Sequence, residues 1–256
     1  MCPSPISAVI ITKNEAENIA RCIQAVQQVA QEVLVIDAFS EDKTVEIAIE
    51  LGAKVLQKEW KGYGANKNYG NQSAQYDWIL SIDADEVLSP DLIESLRKTP
   101  LETNTVYAVN LIMNYEGKWV RHSGWHPDWN VRLFNRKNAY WESNALVHES
   151  LCYPKNSPLI HLSGLLYHYS YKDSADHWQR IEKYAQLSAQ QLIQQGKKAT
   201  FIKLYLSPIA RFFKTYFVKK GFLDGYLGWT ISWRNAYLVW RKYRIVRKSL
   251  KGNKSI

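Results

Sequence analysis

Two aspartates separated by one residue, Asp83 and Asp85, end an apolar run and are well suited to carry chemistry. The run before them, from Trp78, has the length and composition of a buried strand. Carboxylates at such a strand end are hard oxygen ligands that suit Mg²⁺ or Mn²⁺ bridging a diphosphate. The Asp-x-Asp pattern is also common in solvated loops, so the pair by itself leaves both interpretations open.

Two earlier apolar runs also end in polar residues. Thr12, Asn14 and Glu15 follow the first run, and Asp37, Ser40 and Asp42 follow the second. The carboxyl ends of parallel strands meet at one edge of a sheet, where ligands bind, so we expect these side chains to converge with the aspartates. Asn14 and Asp42 are equally suited to capping the helices that follow them.

Two further segments carry candidate binding residues. Residues 60 to 68 combine glycines, amides and Lys67, which predicts contact with a diphosphate, although the segment is too poor in glycine for a P-loop. A solvated lysine at the start of a helix is the alternative. Residues 119 to 149 crowd aromatic and ionisable side chains, which is typical of sugar pockets because rings stack on pyranoses and polar groups satisfy hydroxyls. A tryptophan-rich core beneath a lid is the alternative there.

Strand-like and helix-like segments alternate over the first hundred residues, which predicts an α/β domain with a parallel sheet. We expect strands over residues 7–12, 32–38, 53–57 and 77–83, and helices over residues 15–28 and 42–51. Ser89 with Pro90 predicts the start of another helix. A later helix is expected from Asp173 to Gln195, packed on the catalytic domain.

The order of these motifs, above all Trp78-Ile79-Leu80-Ser81-Ile82-Asp83-Ala84-Asp85-Glu86, resembles family 2 glycosyltransferases over roughly residues 6 to 170. Within that family the likeness is greatest to inverting lipopolysaccharide-core glucosyltransferases. The resemblance implies the GT-A fold, a Rossmann-like mixed sheet flanked by helices. It also implies a Mg²⁺ or Mn²⁺ cofactor, a nucleotide-sugar donor with a UDP-sugar favoured, and a glycan or glycolipid acceptor such as lipopolysaccharide core.

The resemblance further implies roles for individual residues. The expected donor contacts are Thr12, Asn14, Glu15, Asp37, Ser40, Lys67 and Asp83. The expected metal ligands are Asp85, Asp83 and His168. The expected acceptor contacts are Trp125, Arg132 and His148. Inverting transfer needs one general base, for which Glu149 is the first candidate, Asp128 the second and Glu142 the third.

The basic charge of the chain is concentrated in its C-terminal part. From Phe201 onward there are 13 Lys or Arg residues and one acid, Asp224, whereas the whole chain has a net charge of +9. The same part holds 13 of the 33 aromatic residues. We therefore expect a GT-A catalytic domain over residues 1–196 and a helical, basic and aromatic extension over residues 197–256 that contacts an anionic membrane surface. An ordinary helix pair with a basic solvent face is the alternative.

Scattered cysteines, three in number, favour a reducing compartment, so the expected location is cytoplasmic and peripheral at the inner face of the cell membrane. A transferase acting on a soluble peptide or protein would share the donor half and differ in its acceptor pocket. A non-enzymatic protein that binds membranes or nucleic acid would explain the basic tail but leave the strand-end acids without a purpose. We expect no nucleic-acid partner.

Overall fold

The computed structural model describes residues 4–142, 150–171 and 173–252, with only the backbone described at residues 250–252. The chain forms two compact units. The first comprises Met1–Ile112 and Asp128–Tyr169, and the second comprises Met113–Pro127 and Ser170–Ile256.

A mixed sheet organises the first unit. Its strands are β1 (Ile6–Thr12), β2 (Glu32–Asp37), β3 (Lys54–Gln57), β4 (Trp78–Asp83), β5 (Glu86–Leu88), β6 (Val106–Tyr115), β8 (Asp128–Asn135) and β11 (Leu159–Tyr171). They lie side by side in the order β3-β2-β1-β4-β8-β6-β11-β5, and the first four strands in this order are parallel to one another. A separate antiparallel pair joins β9 (Tyr140–Trp141) to β10 (Leu151–Cys152). The α/β class with a mixed sheet is therefore confirmed.

Helices flank this sheet, as predicted. They are α1 (Ile19–Val26), α2 (Thr44–Glu50), α3 (Tyr63–Ser73) and α4 (Pro90–Lys98). The expected start of α4 is confirmed, because the Ser89 hydroxyl accepts the Leu92 backbone N–H at 3.2 Å. Within residues 60–68, helix α3 begins at Tyr63 and includes Lys67.

The register of the parallel strands aligns their polar ends. Thr12 pairs with Asp37 across β1 and β2, and Ile11 pairs with Asp83 across β1 and β4. These residues close three neighbouring strands at the same edge of the sheet. The strand-end acids therefore converge, as the sequence predicted.

Helix α3 packs unusually close to the sheet at Gly70. A Cβ atom at this position would lie 2.4 Å from Val9 Cγ1 and 2.9 Å from Ile36 Cγ1, closer than van der Waals contact permits. Lys67 is three residues before Gly70 and therefore lies on the same helix face, toward the sheet. The absence of a side chain at Gly70 thus sets how near Lys67 comes to the strand ends.

The second unit is mainly helical. Its elements are β7 (Lys118–Val120), α5 (Ser174–Gln194), a π-helical turn (Ile202–Leu206), α6 (Ser207–Phe213), a second π-helical turn (Lys214–Val218), a 3₁₀ turn (Gly221–Asp224) and α7 (Tyr226–Gly252). Helix α5 packs against α7 and belongs to this unit, so the division falls before α5 and differs from the boundary expected at residue 196. None of the helices in the described part of the chain has the length and apolar content needed to cross a bilayer.

A buried polar network joins α5, α7 and the end of β6. Arg234 is 5% exposed and its Nη1 lies 2.8 Å from Nδ1 of His177, while the Tyr115 hydroxyl accepts from the same guanidinium. Burial, reinforced by the Arg234 charge, lowers the pKa of His177 to about 4. His177 is therefore neutral at pH 7 and accepts a hydrogen bond from Arg234 through Nδ1.

We predict that Gly70→Ala destabilises the protein by about 1–3 kcal/mol, because the new methyl group overlaps Val9 and Ile36. Urea unfolding followed by far-UV circular dichroism measures the change. The Val9→Ala variant is the matched reference, since it removes the Cγ1 atom that the new methyl meets. The double variant should lose less stability than the two single losses combined, and simple additivity would contradict this account of α3.

A second prediction concerns pH. Because the folded-state pKa of His177 is lowered, its contribution to stability is complete above the unfolded pKa of about 6.5 and is lost as pH falls toward about 4. Between pH 7.5 and pH 5 the wild type should lose about 2 kcal/mol that His177→Gln does not lose. Thermal melts at both pH values test this, with His161→Gln as the control. Equal losses in wild type and His177→Gln would contradict it.

Candidate active site

Four charged side chains meet where β4 ends. Lys67 Nζ lies 3.1 Å from Asp83 Oδ1, and Arg132 Nη2 lies 3.2 Å from Asp83 Oδ2. Arg132 also forms a close ion pair with Glu86. Both cations and Glu86 are less than a tenth exposed, while Asp83 is a quarter exposed. Asp83 is therefore held by a cation on each side and is the member of the cluster that faces solvent most.

The turn from β4 into β5 holds the two acids of this cluster in place. Glu86 Oε2 accepts the backbone N–H of Asp83 at 2.9 Å, which ties the start of β5 to the end of β4. Strand β5 pairs antiparallel with β11, with Glu86 opposite His168. The backbone N–H of Tyr169 donates to the Asp85 carbonyl at 2.9 Å. The acidic turn is thus fixed by the sheet on both sides.

The two acids Asp83 and Glu86 respond oppositely to this environment. Burial alone would raise the pKa of Asp83, but the Lys67 and Arg132 charges outweigh burial and hold that pKa well below its usual range. Burial raises the pKa of Glu86 to about 7, assisted by the Asp83 charge and opposed by Arg132. Asp83 is therefore a permanent anion, while Glu86 serves to hold Arg132 and the Asp83 backbone.

A second pair lies on the same turn. Nε2 of His168 is 3.1 Å from Oδ2 of Asp85, and both side chains are less than a fifth exposed. Burial disfavours the imidazolium, but the charges of Asp85, Glu86 and Asp83 outweigh burial and raise the pKa of His168 to about 9. A positive charge beside Asp85 is therefore stabilised in this structure.

The donor atoms of this pair fit a divalent cation in part. A carboxylate oxygen and an imidazole nitrogen 3.1 Å apart can bind one ion, and Mg²⁺ sites commonly combine one or two protein ligands with substrate phosphates and water. Within the described ranges no group of three or more His, Cys, Asp or Glu residues is arranged to hold a metal. Asp83 is engaged by Lys67 and Arg132, while Asp85 and His168 contact each other, and the expected ligand set of Asp85, Asp83 and His168 stays a prediction.

The loops after β1 and β2 are hydrogen-bonded to each other. The Asn14 N–H donates to Ser40 Oγ at 2.8 Å, and Asn14 Oδ1 accepts the Glu41 N–H at 2.9 Å. The backbone N–H of Ser40 donates to the fully buried carboxylate of Asp37 at 3.0 Å. Asn14 has a φ of 56°, in the left-handed region that Asn tolerates. Asn14 therefore links the two loops and does not cap α1.

The remaining expected donor residues lie at the same edge. The Glu15 N–H donates to Thr44 Oγ1 at 2.8 Å, so Glu15 is tied to the start of α2. Asp42 accepts backbone N–H groups from Ala16 and Thr44, at 3.1 and 3.0 Å. Thr12 is 4% exposed. The predicted donor residues thus come together on connected loops.

Helix α3 and strand β9 form the wall on the Lys67 side. Lys67 Nζ lies 4.6 Å from the centre of the Trp141 ring, and the Asn68 side chain donates to the Trp141 carbonyl at 2.7 Å and accepts its N–H at 2.8 Å. Lys67 is 1% exposed, so the alternative of a solvated helix-start lysine is wrong. His148 and Glu149 lie outside the described residues. The backbone N–H of Glu142 donates to the Ser150 carbonyl at 2.9 Å.

The expected acceptor and catalytic residues are not all in one unit. Arg132 lies in β8 and contacts the strand-end acids, so it is part of the charged cluster, and its expected contact with the acceptor stays a prediction. Asp128 begins β8 opposite Leu111 of β6, about 13 Å along the strand from Arg132, and the pairing with β6 is irregular at Arg132. Trp125 is in the second unit, where it stacks on Tyr171 with ring centres 5.1 Å apart.

Glu86 and Trp141 are site residues that the sequence interpretation missed. Glu86 was noted only as part of the polar strand end, although the apolar residues after it, Val87 and Leu88, indicate a second strand. That pattern could have identified Glu86 as a buried acid in need of a partner. Trp141 offered no comparable signal, because its contact with Lys67 depends on the tertiary fold.

Comparisons with known proteins show the family of this chain. The family model described as "Glycosyl transferase family 2" matches residues 7–153. A glycosyltransferase of Rickettsia felis is 33% identical over 98% of this chain and 92% of its own length. One of Rickettsia bellii is 36% identical over 89% of this chain and 81% of its own length. The lipopolysaccharide core biosynthesis glycosyltransferase LpsC of Rhizobium meliloti is 24% identical over 94% of both chains.

We predict that Arg132→Met costs about 3–5 kcal/mol of stability, because it leaves the buried Glu86 carboxylate beside Asp83 without the cation that the two acids share. The double variant Arg132→Met/Glu86→Gln should recover part of this loss, since it removes one of the opposed charges. Arg97→Met is the control, because its exposed guanidinium donates only to the Gln28 carbonyl among the hydrogen bonds described. Urea unfolding would contradict the account if Arg132→Met cost no more than Arg97→Met.

Proposed function

Because the chain belongs to glycosyltransferase family 2, we propose that it is an inverting, metal-dependent hexosyltransferase that uses a nucleotide-sugar donor. The observation that carries the proposal is the convergence of Asp37, Asp83 and Asp85 at one edge of a parallel sheet, where such folds bind nucleotides. We favour a UDP-sugar, with glucose or a related hexose as the sugar. The acceptor is a glycan or glycolipid.

The donor nucleotide is bound by the linked loops after β1 and β2. Ser40, which the fully buried Asp37 carboxylate holds in place, contacts the base and ribose, and Thr12, Asn14 and Glu15 border them. Support comes from the hydrogen bonds that already connect these loops, because a preformed pocket loses less conformational entropy when the nucleotide binds. Asp83 lies at the end of β4, the strand next to β1, where it would contact the ribose or the divalent cation that accompanies the diphosphate.

Asp85 and His168 would hold the divalent cation. When bound, Mg²⁺ or Mn²⁺ neutralises charge that develops on the departing diphosphate. Lys67 and Arg132 hold the Asp83 carboxylate in a fixed position beside this pair, where it would contact the donor. Lys67 thereby acts in the donor site through Asp83 and not as a free phosphate ligand.

The transfer itself requires a base for the acceptor hydroxyl. The acceptor oxygen bonds to the anomeric carbon, the bond from that carbon to the diphosphate breaks, and the hydroxyl proton passes to a carboxylate. We assign this role to Glu149, with Asp128 as the alternative. The support for Glu149 is its place one residue before Ser150, which is anchored to the β9 strand beside Trp141 and Lys67.

The acceptor is proposed to be a lipopolysaccharide core. The relative of Rhizobium meliloti named for lipopolysaccharide core biosynthesis supports this class. A helical region rich in exposed aromatic and basic side chains supports a peripheral position at an anionic membrane surface, on the cytoplasmic side. A soluble peptide or protein acceptor remains the second candidate, since it would use the same donor half.

Calorimetric titration of UDP into the protein with Mn²⁺ tests the donor site. Asp85→Asn should weaken metal-dependent binding by about tenfold to a hundredfold, because removing or altering a metal-site group costs on this order. Glu149→Gln is the matched control: it should bind UDP and Mn²⁺ like the wild type while turnover falls by about 10² to 10⁴. Asp91→Asn, an exposed acid on α4, should change neither. Unchanged binding by Asp85→Asn would contradict the proposed metal site.

A further inference from the structure

The helical stretch from residue 201 to residue 233 exposes many large apolar side chains. Thirteen of the 23 exposed large hydrophobic side chains in the described part of the protein lie in it. Among them, Phe201 is 70% exposed, Val218 72% and Tyr226 80%. Concentrated apolar exposure of this kind marks an interaction surface.

A groove between α6 and α7 crosses this surface. One cavity of about 390 Å³ and another of about 320 Å³ share Pro208, Trp233 and Ala236, so they are two parts of one groove. Their walls are almost entirely apolar and aromatic. Ile209 lines only the smaller of these two cavities, and Trp240 lines only the larger.

The groove continues into a basic cavity. A third cavity of about 420 Å³ shares Leu204, Tyr205 and Trp240 with the first, and its remaining walls are Arg244, Arg247 and Lys248. These three cations are exposed, and the Arg244 guanidinium lies 4.8 Å from the centre of the Trp240 ring. The groove therefore has an apolar length and a cationic end.

One face of α7 lines both the apolar part of the groove and its basic end. Residues 229, 233, 236, 240, 244 and 247 recur at intervals of three or four and so lie in one stripe along the helix. The apolar part, from Trp229 to Trp240, is about 17 Å long. Two helical turns carrying cations follow it.

The charge at the basic end is not balanced by nearby sequence. From Phe201 onward the chain has a single acid, Asp224. Its carboxylate is engaged by the backbone N–H groups of Arg121 and His122, at 3.1 and 3.0 Å, and by the Ser123 hydroxyl at 2.9 Å. The complementary ligand for the groove is therefore an amphiphile with an anionic head.

We propose that this groove binds an acyl chain of an anionic membrane phospholipid, with the phosphate at Arg244, Arg247 and Lys248. The inference deepens the proposed membrane association and does not depend on the donor site. Aromatic side chains at the interface bury apolar surface against the chain, and the cations attract the headgroup. A second copy of this protein is a poorer occupant, because its own cationic stripe would be brought to the same surface.

Co-sedimentation of the full-length protein with vesicles tests the headgroup. Binding should require phosphatidylglycerol in a phosphatidylcholine background and weaken with added salt. Arg244→Gln/Arg247→Gln/Lys248→Gln should lower the partition coefficient about a hundredfold, on the order of fivefold for each cation. Lys197→Gln/Lys198→Gln/Lys220→Gln is the matched control, since these exposed lysines lie outside the groove, and it should have a much smaller effect.

Fluorescence quenching by phospholipids with brominated acyl chains tests the groove itself. Trp233→Phe should remove a large part of the quenching, whereas Trp60→Phe, which replaces an exposed tryptophan of the first unit, should not. Ala236 lines both apolar cavities, so Ala236→Phe should narrow the groove and weaken vesicle binding about tenfold. Trp233→Ser gives the same test if Ala236→Phe does not fold.

Several results would overturn the proposal. The first two are that the wild type binds vesicles equally well without phosphatidylglycerol, or that it binds no vesicle at all. The others are that the groove variants bind vesicles as tightly as the wild type, or that the wild type is a dimer in solution that these variants dissociate. UDP titration of the same variants separates the two proposals. Lost vesicle binding with intact UDP binding supports the lipid groove, and failed UDP binding by the wild type counts against the donor site alone.

Discussion

Burial of charge at the end of β4 is the constraint on which the first unit depends. Asp83 and Glu86 can be buried there only because Lys67 and Arg132 face them, since an unpaired charge in this position would be severely destabilising. The partners come from α3 and β8, which must therefore approach β4 closely. Gly70 permits that approach by leaving no side chain between α3 and the sheet.

The neighbouring pair, Asp85 and His168, is positioned by the same strands. With Asp83 and Glu86 neutralised by their own cations, Asp85 and His168 lie on a rigid turn whose position is set by β5 and β11. A site with fixed ligands costs little reorganisation when charge develops on a leaving diphosphate. The charged cluster around Asp83 therefore lies beside the pair that we propose as the metal site.

Much of the first unit was predictable from sequence because its signals are local. The apolar runs of β1, β2 and β4, and the polar residues that end them, followed directly from periodicity and strand-end logic. The contacts of Arg132 and the burial of Lys67 did not, because neither an arginine in β8 nor a lysine among glycines and amides gives any sign of its partner in the sequence. Those features come from tertiary contacts, as does the grouping of α5 with α7.

The central claim is that the strand-end turn binds a metal ion and a nucleotide diphosphate together. Crystals grown with Mn²⁺ and UDP, with diffraction data collected to exploit the anomalous scattering of manganese, test it most directly. We expect an anomalous peak within bonding distance of the Asp85 carboxylate and the His168 imidazole, with the diphosphate on its other side. Ordered UDP with manganese bound elsewhere, or UDP bound away from the ends of β1, β2 and β4, would contradict the account.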